Sequence, residues 1–380
     1  MEQEVVTTNV SGNAAIVADA LCSQLSKDLF SYNAVIFFAS VKYDFAELSV
    51  ELHNRFPKAE IIGTSTSGEI SPKGFANGSV VLTTISDSRT KFSGVILDGV
   101  DKFPIIHKKA IEAAMAKNGI RPGDPESHKH SFAINFVNGL CNAEEAFLSL
   151  FYAIVGNDKF VVAGGSAGDD LKFQQTYVSY NGKTVSDGCA LLFVTTELKF
   201  DIRKENIYKP SGKSMKITDA DTKTRRVMTI NGRPAKQEYA AAIGVPVSEV
   251  DNAVLDHPFG RVFGDYIYIS SIAGFNNDNT VNMYCRILKD SEVDLLIPDD
   301  WEAMGQTTCK EIREEIRKPE FVLFINCILR TIYFGNLKAY DRLTNMYNDN
   351  FPVWCGFSSY GEQFGQINSN QTLVSIVIGE

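Results

Sequence analysis

Three short stretches repeat one order of residue types: GTSTSGE at 63–69, AGGSAGD at 163–169 and GFSSYGE at 356–362. Each runs from a small residue through four mostly small or hydroxylated residues to a glycine and then an acid. Thr64, Ser65, Ser166, Ser358 and Ser359 supply hydroxyls, and Tyr360 adds a phenol. Gly68, Gly165, Gly168 and Gly361 open the main chain, and Glu69, Asp169 and Glu362 supply carboxylates. At strand ends, where α/β proteins place ligands, such turns offer donors and acceptors together. Their carboxylates suit a ligand with an ammonium or hydroxyl groups, such as an amino acid. The competing reading is local: glycine permits tight turns, and an acid there accepts backbone N–H groups.

Other candidates are weaker. Residues 164–168 spell G-x-S-x-G, which would make Ser166 a hydrolase nucleophile. A helix should then follow directly, whereas DDLKFQQTYVSY (169–180) reads as a polar turn and a strand, and only His257 lies downstream. A phosphate loop is excluded at Gly63/Gly68 and Gly356/Gly361, because an acid stands where Lys is required. Arg261 and Arg286 could hold a ligand carboxylate through paired hydrogen bonds. Haem would need an axial ligand, and His257, pinned by Pro258, is the best placed. The seven cysteines form no Cys-x-x-Cys pair and cluster with no histidines, so neither zinc nor a disulfide scaffold is expected, and a cytoplasmic setting is.

The elements that must position these turns also recur. Apolar runs at 34–40, 133–137 and 321–328 read as buried strands. Helical patterns at 45–56, 143–155 and 336–346 follow, then a second strand, the turn, and closing strands at 79–85, 189–195 and 372–378. The fold class expected is α/β (α+β), with mixed sheets, flanking helices and a recurring strand–helix–strand–turn–strand unit. Two domains are expected. Residues 1–218 hold copies at about 32–98 and 130–198; residues 219–380 hold an antiparallel segment and the third copy, about 320–380. Residues 199–218, polar and basic without period, read as a connector.

The composition limits the function further. Hydrophobic residues make up 44% and charged residues 22%, as in ordinary globular chains. With 37 basic and 46 acidic residues the net charge is −9, so no nucleic-acid partner is expected. No apolar run reaches the ~20 residues that span a bilayer, and no membrane role is expected. The N-terminus lacks a secretory pattern.

The order of these blocks resembles the FIST family, in which a FIST N domain precedes a FIST C domain. The resemblance is carried by EIIGTSTSGEI (60–70), VAGGSAGDDL (162–171), INGRPAKQEYAAAIG (230–244), HPFG (257–260) and CGFSSYGEQFG (355–365). It implies an intracellular sensory module that binds a small ligand, with amino acids as one class. It also implies a signalling partner such as a histidine kinase or a cyclic-dinucleotide enzyme. Some relatives resemble haem-binding nitric-oxide sensors, so a gas sensor stays open as the alternative. The leading expectation is a non-enzymatic sensor requiring no cofactor, and the Ser166 hydrolase is the third reading.

Overall fold

In the computed structural model, which describes residues 1–264 and 266–380, the apolar strand Ala34–Ser40 is buried along its whole length. It is β2 of a first copy that runs β1 (Glu2–Thr8), α1 (Ala14–Cys22), β2, α2 (Phe45–Arg55), β3 (Glu60–Thr66), β4 (Glu69–Ser71), β5 (Gly74–Ala76) and β6 (Val80–Ser86). Asp44 caps α2 through the Glu47 amide at 2.9 Å. The helix then turns Phe45, Leu48 and Leu52 onto Val35, Phe37 and Ile61. The second copy repeats the order with β7 (Thr90–Asp98), α3 (Lys108–Lys117), β8 (Ser131–Val137), α4 (Glu144–Val155), β9 (Val162–Ser166), β10 (Val178–Tyr180), β11 (Lys183–Val185) and β12 (Gly188–Thr196). Helix α4 ends where Gly156 takes a left-handed φ of 63°.

A third copy opens with β13 (Lys199–Asn206) and is then interrupted. The interruption comprises β14 (Tyr208–Asp221), β15 (Arg226–Ile230), β16 (Arg233–Pro234), α5 (Ala235–Ile243), β17 (Phe259–Phe263), β18 (Tyr266–Ser270), β19 (Ile272–Phe275), β20 (Val281–Met283) and β21 (Glu292–Pro298). The copy resumes with α6 (Trp301–Glu315), β22 (Pro319–Cys327), α7 (Ile328–Asn336), α8 (Tyr340–Asn350), β23 (Cys355–Ser359), β24 (Glu362–Phe364), β25 (Ile367–Ser369) and β26 (Thr372–Gly379).

The 199–218 stretch is thus no connector. Its polar residues lie in β13 and β14, where one face is solvated, so no apolar alternation marks them. Nor is 336–346 one helix: Lys338, at φ 52°, separates α7 from α8.

The chain forms two compact units. One comprises Met1–Lys204, Gln306–Ile367 and Leu373–Glu380; the other comprises Glu205–Gly305 and Asn368–Thr372. The third copy, grouped in sequence order with the C-terminal segment, shares the first unit with the other two. The second unit is an antiparallel sheet ordered β18-β17-β21-β14-β15-β20-β19, with α5 contributing Tyr239 and Ala240 to its core beside Phe259 and Leu295.

Within the first unit the three copies exchange hairpins in a closed ring. Each sheet is built on the parallel pair of one copy and extended by the hairpin of another. The orders are β1-β6-β2-β3-β10-β11, β25-β24-β9-β8-β12-β7 and β13-β26-β22-β23-β4-β5. Copy one lends β4–β5 to copy three, copy three lends β24–β25 to copy two, and copy two lends β10–β11 to copy one. The inner faces meet in one core, where Phe38, Phe136 and Phe357 form a triangle with ring centroids 4.7–5.9 Å apart.

Candidate functional site

The ring of hairpins brings the three glycine–acid turns together. Gly168 donates its amide to the Ser65 carbonyl at 2.9 Å, and Ser358 donates to that of Gly68 at 2.8 Å. Ser67 donates in turn to the Ser358 carbonyl at 3.1 Å, and Ser166 to that of Gly361 at 2.7 Å. Every turn is therefore tied to both others by main-chain hydrogen bonds. The junction is filled rather than hollow. Thr64, Ser65, Ser166, Ser358, Ser359 and Glu362 are wholly buried, and Glu69 and Asp169 are 1% exposed.

The register of the copies differs by one residue from a gap-free alignment of the turns. In β3, Thr64 pairs with Phe38 and with Val178 of the lent hairpin. Phe357 in β23 likewise pairs with Ile325 and Glu69, and Gly165 in β9 with Phe136 and Glu362. Thr64, Gly165 and Phe357 are thus equivalent, and the carboxylate five residues on is Glu69, Asp170 or Glu362. The acid at Asp169 sits one step earlier, and the copy-two hairpin starts only at Val178.

Each acid has its own role. Glu69 accepts from the Thr66 hydroxyl, from the Ser79 amide at 3.1 Å and from the Ser79 hydroxyl at 2.6 Å. Burial pushes its carboxyl up to about 7, against those hydrogen bonds and with help from the Asp170 charge. Glu362 accepts from the Ser359 hydroxyl at 2.6 Å. Asp169 accepts from the amides of Phe173, Gln174 and Gln175 at 2.9, 2.6 and 3.0 Å, and from the Tyr360 hydroxyl at 2.5 Å. Burial and the bond to Asp169 raise the Tyr360 phenol well above its usual range.

Asp170 stands apart. Its counterpart hydroxyl position is Ala167, so it turns instead to Ser40, whose hydroxyl donates to Oδ2 at 2.7 Å. Its Oδ1 is buried without a hydrogen-bond partner. A cavity of about 450 Å³ opens here, lined by Ser40, Lys42, Ser67, Asn77, Asp170 and Leu171. The Lys42 ammonium is exposed and lies 5.3 Å from the Tyr43 ring centroid. Two further cavities flank the junction. One of about 360 Å³ has Asp169, Lys172 and the start of α2 in its wall, and one of about 300 Å³ has Glu69, Ser79 and Lys73. Reading the turns alone misses Ser40, Lys42, Asn77 and Asp170; the doubled acid at 169–170 was the visible sign.

The Ser166 hydroxyl donates to Glu144 Oε1 at 2.8 Å and accepts from Gln363 Nε2 at 3.1 Å; neither partner is a histidine. No helix follows it, and Asp170, Leu171 and Phe173 take left-handed φ values. Arg261 and Arg286 belong to the second unit, both half-buried, and Arg261 Nε is buried without a hydrogen-bond partner. His257 is also there, with Nδ1 3.3 Å from the Leu296 carbonyl oxygen. Among the described residues no group of three or more His, Cys, Asp or Glu is arranged to hold a metal ion. No described helix is long and apolar enough to cross a membrane.

Comparison with known proteins gives the family. An uncharacterized protein of Methanocaldococcus jannaschii is 26% identical over 294 residues, covering 72% of this chain and 55% of that protein. The chain thus spans about half the length of that relative. A crystal structure of cyanuric acid hydrolase from A. caulinodans matches with a TM-score of 0.30 at 9% identity, covering 54% of this chain and 71% of that one. A likeness so loose carries neither fold nor function across. The FIST N domain model matches residues 33–233 and the FIST C domain model residues 235–365. Domains of these two kinds are the sensory domains of signal-transduction proteins. With both matched in order over most of its length, the chain belongs to the FIST family.

Proposed function

We propose that this chain senses a small zwitterion, an amino acid or similar metabolite, in the cavity beside Asp170, and signals through a partner protein. The observation that supports this most is the Asp170 carboxylate, held by Ser40 on one oxygen and left with a buried, unpartnered second oxygen. A buried acceptor without a partner costs about 1–3 kcal/mol, and an ammonium group would relieve that cost. The same cavity has the Lys42 cation in its wall, which suits a carboxylate, and the Ser67 hydroxyl and Asn77 amide add neutral hydrogen-bonding groups. At about 450 Å³ it lies within the usual range for small-molecule sites. The buried turn residues then act as the rigid floor that fixes Ser67 and Asp170. A histidine kinase or a cyclic-dinucleotide enzyme is the partner class this reading expects.

Calorimetric titration of each standard L-amino acid into the full chain tests it. Binding should fall at least tenfold in Asp170→Asn and again in Lys42→Ala. Ethylammonium or acetate alone should bind far more weakly than the zwitterion. Absence of heat across the panel, or binding that ignores both substitutions, sinks the reading.

A further inference from the structure

We infer that Glu69 gives up a proton when an ammonium group settles against Asp170, so that this site senses its ligand in exchange for a proton. The inference rests on the reading of the Asp170 cavity given above.

Thr66 touches the residues of both acids, through its main chain on one side and its hydroxyl on the other. The Asp170 amide donates to the Thr66 carbonyl at 3.1 Å, and the Thr66 hydroxyl donates to Glu69 Oε1. Glu69 lies between two cavities. Ser67 and Asn77, on either side of it in the β4–β5 hairpin and its flanks, line the Asp170 cavity. Glu69 itself lines the other, about 300 Å³, together with Thr7, Thr8, Ser71, Lys73 and Ser79. A proton leaving Glu69 therefore has a polar way out that does not cross the ligand.

Charge balance supplies the reason for exchange. Without ligand, a neutral Glu69 beside the Asp170 carboxylate leaves one negative charge in the pair. With an ammonium against Asp170, ionised Glu69 restores that same net charge. The Thr66 and Ser79 hydroxyls can rotate to donate to the carboxylate or accept from the acid, so both forms keep partners. The other titratable groups facing Glu69 are Tyr43, whose phenol its charge helps to raise, and Lys73 in the wall of the cavity that Glu69 lines. Burial brings the Glu69 carboxyl to about 7, so the exchange falls in the neutral range.

Calorimetry in phosphate and in imidazole at matched pH reads the released proton directly, because the two buffers take it up with different heats. For the amino acids that bind, the heats should differ most between pH 6 and 7 and converge above pH 8. Affinity should weaken up to about tenfold between pH 7 and pH 6. Glu69→Gln should make the two buffers agree, whereas Asp170→Asn should remove the heat itself. Equal heats in both buffers, with binding intact, overturn the coupling and leave the cavity reading standing. If no amino acid binds, the cavity reading fails, and the coupling is judged in the free protein. Carbon-13 titration of labelled glutamate should then show the Glu69 midpoint falling in Asp170→Asn; an unmoved midpoint overturns it.

Discussion

The Tyr360 hydroxyl donates to Asp169 Oδ1 at 2.5 Å, joining the third copy of a repeated turn to the second across 191 positions of sequence. Phe173 closes over the pair, its ring stacked on that of Tyr360 at 5.1 Å. The carboxylate thereby holds together a turn, a neighbouring turn and the strained segment 170–173.

Replacing Asp169 should expose that role. Asp169→Ala removes an acceptor serving three amides and one phenol, so four part-buried donors lose their partner at once. A loss of roughly 2–4 kcal/mol in urea unfolding is expected, since each orphaned donor costs on the order of 1 kcal/mol or more. Hydrogen exchange at Phe173, Gln174 and Gln175 should quicken. Tyr360→Phe should cost only about 1 kcal/mol, because the amides still hold the carboxylate. Unchanged exchange in Asp169→Ala would show that the segment is held by other contacts.

What could be read from sequence divides along physical lines. The buried strands 34–40 and 133–137 announce themselves because burial on both faces demands uninterrupted apolar residues. Helix α2 is legible because Asp44 and Pro57 punctuate it and its apolar spacing is regular. The exchange of hairpins left no local mark: β10 carries Val178, Ser179 and Tyr180, and nothing in three residues says that their partner is β3. The one-residue offset of the second turn was hidden for the same reason, since register is set by pairing and not by composition. Asp169 and Asp170 look alike in sequence. Only the strand pairing shows that the second is the counterpart of Glu69 and Glu362, while the first holds the amides of the following loop.

Glu69 makes stability depend on pH in a stated direction. Its carboxyl is raised from 4.5 to about 7 in the fold, so ionisation is penalised there and not in the unfolded chain. Above pH 7 the native state carries that cost in full. As pH falls from about 7 to 4.5 the native state takes up a proton that the unfolded chain does not, and the cost disappears. Glu69→Gln, which is neutral throughout, should be more stable than the parent at pH 8 by roughly 2–3 kcal/mol and show no gain near pH 4.5. Urea titrations at both pH values measure this; a constant difference would mean that Glu69 titrates normally.

Ser166 tests the hydrolase reading and a structural one together. Its hydroxyl links Glu144 to Gln363, which accepts in turn from Asn135 Nδ2 at 3.0 Å. Ser166→Ala should therefore cost about 1–2 kcal/mol in unfolding free energy. Turnover of activated esters should equal the buffer blank in both proteins. Turnover by the parent that the substitution abolishes would return Ser166 to the role of nucleophile.

The equivalent positions Thr64, Gly165 and Phe357 explain why the second copy needs glycine where the others carry side chains. Phe357 fills the core between Phe38 and Phe136, and its ring reaches toward β9. A Cβ on Gly165 would stand 2.6 Å from Ile325 Cγ2, 2.9 Å from Ser359 Cβ and 3.1 Å from Phe357 Cζ. The large residue in one copy and the absent one in another are thus a matched pair. Gly165→Ala should lose about 1–3 kcal/mol through overpacking. Gly274→Ala, with nothing within 4 Å of its added methyl, should stay within about 0.5 kcal/mol of the parent. Shortening the opposing ring should return part of the loss. Phe357→Leu alone leaves a void, yet in the Gly165→Ala background it makes room, so the two changes should couple favourably by about 1 kcal/mol in a double-mutant cycle. Strictly additive losses would show that Ile325 and Ser359, not Phe357, set the demand for glycine at this position.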